Sequence, residues 1–273
     1  MVKRISRKNG DKLVGLALGA GAAQGLAHIG VLKVIEKENI PIDIVAGTSI
    51  GAIIGALWSS GKSAHEIERI VSVFKAKMAA WRLVDPVLPK KGLIKGREIK
   101  RFLTSHLQDK TFHDLELPLR VVTCDITRRE EVVLRSGKIV DAIIASMSIP
   151  GIFEPVSIDG RLLMDGGIIN PLPVNVLTRM GAAKVIAVNA LPSPDDVQKF
   201  KTKDLNIFDM IVRNVQASEY MLAEASCKNS DIALHPVLAG ADWYEIYKVE
   251  AIIKRGEEEA SNFLPLIKKL IAA

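Results

Sequence analysis

Residues 43–57 read D-I-V-A-G-T-S-I-G-A-I-I-G-A-L, and two periodicities meet inside them. Ile44, Val45 and Ala46 form a short apolar run, the pattern of a buried strand. Ile50, Ile53, Ile54, Leu57 and Trp58 then recur at helical intervals. The junction is Gly47-Thr48-Ser49-Ile50-Gly51, a G-x-S-x-G at a strand-to-helix turn. A serine on so sharp a turn holds its hydroxyl clear of the backbone. The positions two before and two after it crowd each other, so Gly47 and Gly51 fit because they lack a Cβ. The helix beginning at Ser49 points free N–H groups at the hydroxyl and favours a developing negative charge. Ser49 is therefore the candidate nucleophile. The alternative is a small-residue turn that packs a helix onto a sheet.

Toward the N-terminus, Leu13–Leu18 is a compact apolar run and reads as the first strand. It enters the loop Gly19-Ala20-Gly21-Ala22-Ala23-Gln24-Gly25, and a helix follows with Leu26, Ile29, Val31, Leu32, Val34 and Ile35. Strand, Gly-rich loop and helix present backbone N–H groups to an anion. An oxyanion ranks first, because the loop closes at the same end of the sheet as Ser49. A plain structural turn is the second reading. A dinucleotide pyrophosphate ranks last: it needs G-x-G-x-x-G, and Gln24 occupies the third glycine's place.

Toward the C-terminus, Ser63–Glu66 is an S-x-x-E capping box that opens a helix to about Met78. Trp81–Gly96 mixes apolar residues with Lys90, Lys91 and Lys95, and reads as a solvated loop or as a lid or lipid-contacting segment. Gly96–Leu107 reads as a helix, Leu119–Asp125 and Glu131–Leu134 as neighbouring strands, and Ile139–Met147 as an apolar helix. Arg161–Met164 is a further strand, ending in Asp165-Gly166-Gly167. A strand-ending Asp at the carboxyl edge of an α/β sheet can serve as base or orienter for a distant nucleophile. The alternative for Asp165 is a turn-forming role before Gly-Gly. A short helix from Asn170 to Gly181, a strand at Lys184–Asn189 and a polar loop at Leu191–Leu205 come next. Ile207, Met210, Ile211, Met221 and Leu222 mark a long helix, Asp231–Leu234 a last strand, and the tail beyond Tyr244 reads as helical. Strands alternating with helices predict a three-layer α/β/α sandwich with a mostly parallel central sheet. The chain reads as a single domain over 1–273, with a core at 13–190 and a helical portion at 206–273.

The 273 residues are ample for a sizeable core, and 48% are hydrophobic. A net charge of +6 suggests an anionic partner such as a lipid headgroup surface, a nucleic acid or an anionic metabolite. Cys124 and Cys227 show no metal-ligand spacing, which fits a reducing, cytoplasmic setting. The basic N-terminus lacks the apolar run of a secretory signal. No apolar stretch reaches the roughly 20 residues needed to cross a bilayer, and contact with a membrane surface stays open.

A serine triad would need a histidine, yet none of His28, His65, His106, His113 or His235 lies in a local signature. A Ser49–Asp165 pair is more economical. Burial would raise the Asp pKa and make it a better base, suited to an activated ester rather than an amide.

Four stretches in order carry a family resemblance: Leu16–Leu32, Gly47–Ala52, A-S-M-S-I-P-G-I-F-E-P-V at Ala145–Val156, and D-G-G-I-I-N-P-L-P-V at Asp165–Val174. Together they resemble the bacterial patatin-like phospholipases over roughly residues 13–190. The resemblance implies Ser49 as nucleophile, Asp165 as its partner and oxyanion donors at Ala20, Gly21 and Ala22. Gly19, Gly25, Gly47, Gly51, Gly166 and Gly167 would support them. It implies hydrolysis of an acyl ester in a phospholipid or lysophospholipid through an acyl-serine intermediate, without metal or organic cofactor and without nucleic acid as a partner. Ala20 and Ala22 depart from the family's glycines, and Gln24 stands where a cation is usual. A non-catalytic regulatory or adaptor protein on the same fold, or an acyltransferase using a thioester-carried acyl group, are the other readings.

Overall fold

The computed structural model describes residues 12–75, 96–196 and 207–273. The segment read as a lid or lipid contact (81–95), most of the 191–205 loop, and the end of the helix expected to reach Met78 lie outside them. One eight-stranded sheet runs through the structure. Its strands are β1 (Val14–Leu18), β2 (Ile44–Thr48), β3 (Leu119–Asp125), β4 (Glu130–Leu134), β5 (Val156–Ile158), β6 (Arg161–Asp165), β7 (Lys184–Val188) and β8 (Ile232–Leu234). The order is β5-β6-β3-β2-β1-β7-β8, with β4 also paired to β3. β3, β2, β1, β7 and β8 pair in parallel, and β4, β5 and β6 are antiparallel additions. The mostly parallel sheet is thus as expected. Strand β5 is the one not anticipated: V-S-I is short, half-exposed and at the sheet's edge, and carries little periodic signal.

The helices are α1 (Ala27–Lys37), α2 (Ile50–Ser59), α3 (Ala64–Val71), α4 (Arg97–Leu107), α5 (Ile139–Ser146), α6 (Val174–Arg179), α7 (Ile207–Cys227) and α8 (Val249–Ala272). Alternation along the strands separates two apolar cores. Val14, Leu16, Leu18, Val45, Ile186 and Val188 face α1, α2, α3, α4, α5 and α8. Ala17, Ile44, Ala46, Val185 and Ala187 face α6 and α7. Helices on both faces of one sheet make the three-layer sandwich. The capping box forms as read, with Ser63 Oγ accepting from Glu66 N and the Glu66 carboxylate accepting from Ser63 N.

A register detail positions the site. Thr48 of β2 lies opposite Val122 of β3, and Asp165 of β6 lies opposite Thr123. β4 occupies the other edge of β3 over both positions. β2 and β6 therefore share one edge of β3 in tandem and run toward each other. Their carboxyl ends meet there.

The longest-range helix contact is that of α8 with α1, and glycines let the backbones touch. A Cβ on Gly30 would overlap the Ile253 carbonyl, and one on Gly256 would overlap the Ala27 carbonyl. Neither backbone can yield without moving its helix. Gly256→Ala is expected to cost about 2–3 kcal/mol, read as a lowered urea midpoint; an unchanged midpoint would show that the crossing is slack.

Candidate active site

Ser49 follows β2 directly and caps α2 at φ 55°, ψ −122°, a left-handed conformation costly for a residue with a side chain. The elbow is crowded as its glycines require: a Cβ on Gly47 would sit 2.5 Å from the Gly51 carbonyl oxygen, and one on Gly51 would strike the Leu18 carbonyl. Ser49 N–H donates to Ser146 Oγ at 2.9 Å, and Ser146 Oγ–H donates to the Val122 carbonyl at 2.7 Å. This bridge fixes the turn to β3.

Ser49 Oγ donates to Asp165 Oδ2 at 2.8 Å, and both residues are buried. Asp165 Oδ1 accepts from Gly167 N at 2.8 Å, and its own N–H donates to the Ser148 carbonyl at 2.9 Å. Gly166 has no room for a Cβ against the Val122 carbonyl. Burial pushes the Asp165 carboxyl up to about 6, partly opposed by the Gly167 and Ser49 hydrogen bonds that favour the anion. None of the five histidines hydrogen-bonds to Ser49 or Asp165. His28 is buried and holds the Gly19 carbonyl through Nε2 at 2.8 Å. Since that carbonyl can only accept, Nε2 carries the proton. Burial lowers the ring's pKa to about 4, so it is neutral at pH 7.

The Gly-rich loop lies against the first turn of α2, where a Cβ on Gly25 would overlap Ile50. Its amides are unequally committed. Gly19 N donates to the Val188 carbonyl, Ala20 N to the Pro171 carbonyl at 2.8 Å, and Ala23 N to the Trp243 carbonyl. The N–H of Ala20, one of the three expected oxyanion donors, is thus spent within the fold. Gly21 and Ala22 N–H have no acceptor among the described residues. Ala22 adopts φ 49°, so an alanine here occupies the left-handed region that a glycine would enter freely.

Gln24 is buried and fully bonded. Its Nε2 donates to the Leu238 and Ala241 carbonyls at 2.9 and 3.1 Å, and its Oε1 accepts from Leu238 N at 3.0 Å. The side chain staples the loop to the segment before α8.

The description patatin-like phospholipase matches residues 16–178. The chain belongs to the patatin-like phospholipase family. The neuropathy target esterase sws of Drosophila melanogaster is 36% identical over 197 residues, covering 71% of this chain and 14% of that protein. The human patatin-like phospholipase domain-containing protein 6 is 38% identical over 192 residues, 68% of this chain and 14% of that one. The chain thus spans about one-seventh of the length of these relatives. They are animal proteins, so the narrower bacterial resemblance finds no support in them. The crystal structure of VipD from Legionella pneumophila superposes with a TM-score of 0.52 over 98% of this chain and 70% of that one. At 12% identity this likeness concerns the fold alone.

Two residues on this patatin-like scaffold escaped the sequence reading. Ser146 lies in the A-S-M-S stretch that carried the resemblance, but no spacing announces its bridge to Ser49. Glu219, on α7, is buried against Gly167 and carries no local signal at all. Cys227 shows no metal-ligand spacing in the sequence, yet Glu224 and His235 lie beside it in the fold. Glu224, Cys227 and His235 place ligand atoms within 4.8 Å of one another, although no hydrogen bond links them to Ser49 or Asp165. Sequence spacing hid this because His235 comes from beyond β8.

Removing the Ser146 hydroxyl leaves the Ser49 N–H and the Val122 carbonyl buried without partners. Ser146→Ala should therefore lose about 1–3 kcal/mol in urea unfolding; a loss within error would mean the turn holds itself. Ala22→Gly relieves the left-handed alanine against a smaller gain in unfolded-chain entropy. It should be more stable by about 0.5–1 kcal/mol in the same assay, and a less stable variant would contradict the strain.

Proposed function

We propose that the chain is a serine ester hydrolase acting on acyl esters of phospholipids or lysophospholipids, with Ser49 as nucleophile and Asp165 as its base. The observation that carries this reading is the buried 2.8 Å hydrogen bond from Ser49 Oγ to Asp165 Oδ2. Ser49 Oγ attacks the acyl carbon while its proton passes to Asp165. The tetrahedral oxyanion is held by the Gly21 and Ala22 amides, with the positive end of α2 behind Ser49. Collapse breaks the ester C–O bond, and the leaving alkoxide takes the proton from Asp165. Water then repeats the sequence: it gives its proton to Asp165, attacks the acyl-serine and releases the acid, while Ser49 Oγ recovers the proton.

A free Asp would be a poor base at neutral pH, and burial corrects this by raising its pKa toward that of a useful base. The chemistry named in the relatives, an esterase and a phospholipase domain, supports an ester substrate. The adaptor reading rested on Gln24, and that residue's three structural hydrogen bonds weaken its ground. Among the described residues no helix is long and apolar enough to cross a membrane. We read the protein as cytoplasmic, meeting its lipid at a membrane surface, and the chain as a single patatin-like unit. The packing of α8 along α1 supports that last point.

Turnover of a short-chain nitrophenyl ester tests the reading. Ser49→Ala should fall to background, and Asp165→Asn should lose roughly 10²–10⁴-fold. Equal turnover by Ser49→Ala would end the proposal. Because the base must be ionised, kcat/KM should drop tenfold per pH unit below about 6. An acid limb near pH 4 would show that Asp165 is not perturbed as its burial requires.

A further inference from the structure

Glu219 sits on the inward face of α7 and is only 7% exposed. Its Oε1 overlaps the point where a Cβ on Gly167 would lie, and Asp165 Oδ1 is 3.2 Å from that same point. Two carboxyl groups therefore flank one glycine. Among the described residues none forms a hydrogen bond or ion pair with Glu219. The elements packed against it supply no cation among the described residues. Asp165 precedes the Gly166–Ile168 turn, and Arg179, the one charged residue of α6, is ion-paired to Glu131. One turn away on α7 itself, Val215, Gln216, Leu222 and Ala223 are uncharged.

Two carboxyls this close and this dry share at most one charge near neutral pH. Hydrogen bonding decides which keeps it. Asp165 accepts from Gly167 N–H and Ser49 O–H, and both stabilise its anion. Glu219 has no such donor. We infer that Glu219 is a positioning residue for the Asp165 base: un-ionised, it fills the space behind the Asp-Gly-Gly turn and leaves the pair's single negative charge on Asp165, and its ionisation opposes the reaction. This rests on the reading of Asp165 as base. Burial first, and the Asp165 charge second, push the Glu219 carboxyl up to about 8. Above that pH a second negative charge lies beside Asp165, which touches Ser49 Oγ, and it opposes the negative charge that attack creates, so the rate falls.

Both carboxyls bind their protons more tightly in the folded than in the unfolded chain. Their contribution to stability is full below about pH 4 and is lost as pH rises through about 6 and about 8. The test has two arms on the full chain. The first is the pH profile of kcat/KM on a nitrophenyl ester for the wild type and Glu219→Gln. The wild type should show an alkaline fall centred near pH 8. Glu219→Gln should keep the acid limb, lack that fall, and lose less thermal stability between pH 5 and 9. The second arm follows the Glu219 carboxyl carbon by ¹³C NMR in the wild type and in Asp165→Asn. Its titration should lie above pH 7 in the wild type and move lower once Asp165 is neutralised. An alkaline limb that persists in Glu219→Gln, or a Glu219 carboxyl already ionised at pH 6, overturns the inference. If the wild type has no esterase activity, the proposed function fails and the NMR arm still decides the carboxyl pair. The wild-type titration also decides if Glu219→Gln does not fold.

Discussion

The site depends on one edge of β3 being shared by two strands that arrive from opposite directions. β2 ends at Thr48 opposite Val122, and antiparallel β6 ends at Asp165 opposite Thr123. Residues 116 positions apart are thereby delivered to adjacent rungs of one ladder. The hydrogen bond from Ser49 to Asp165 is a consequence of register before it is a feature of either side chain. A slip of either strand by one residue would turn the side chain to the opposite face of the sheet. The antiparallel strands at this edge thus create a meeting of strand ends that a purely parallel sheet could not offer.

What locks the rungs is mostly backbone hydrogen bonding from motifs far apart in the chain. Ser146 Oγ receives the Ser49 N–H, and the Ser148 carbonyl receives the Asp165 N–H, so one short stretch at the end of α5 ties both members of the pair. The Pro171 carbonyl receives the Ala20 N–H, joining the Asp-Gly-Gly segment to the Gly-rich loop. Such over-determination is what allows Ser49 and Ala22 to persist at positive φ. It also divides the loop's amides: those of Gly19, Ala20 and Ala23 are used as struts, and those of Gly21 and Ala22 have no acceptor among the described residues.

The legible parts of the sequence were those written in local pattern. Continuous apolar runs marked the buried strands β1, β2, β3 and β7, and the switch of period at Ser49 marked the elbow. Gly47 and Gly51 were readable because crowding across a tight turn is a local matter. Gln24 was legible only as a departure, since its partners Leu238 and Ala241 lie more than 200 residues away. Glu219 illustrates the limit most clearly. The apolar stripe of α7 (Ile207, Met210, Ile211, Met221, Leu222) suggests a buried face, yet these residues are exposed. Val212, Glu219 and Ala223 turn inward instead. Helical period identifies a stripe, but tertiary contact chooses which stripe is buried, and here the space above Gly167 admits a carboxyl.

Among the described residues, that choice places two acids and no cation beside Gly167, in a chain whose net charge is +6. An arginine beside Asp165 would stabilise its anion and lower its pKa, leaving a base too weak to take a serine proton. Desolvation does the reverse, and it does so at the expense of the fold, since a buried anion is held by little more than the Gly167 amide and the Ser49 hydroxyl. On the proposed reading, the requirement that Asp165 be basic and the requirement that the sheet be stable therefore conflict at one residue. The structure resolves the conflict with a rigid frame of strand register and buried serine bridges, strong enough to hold a carboxylate where water would otherwise solvate it.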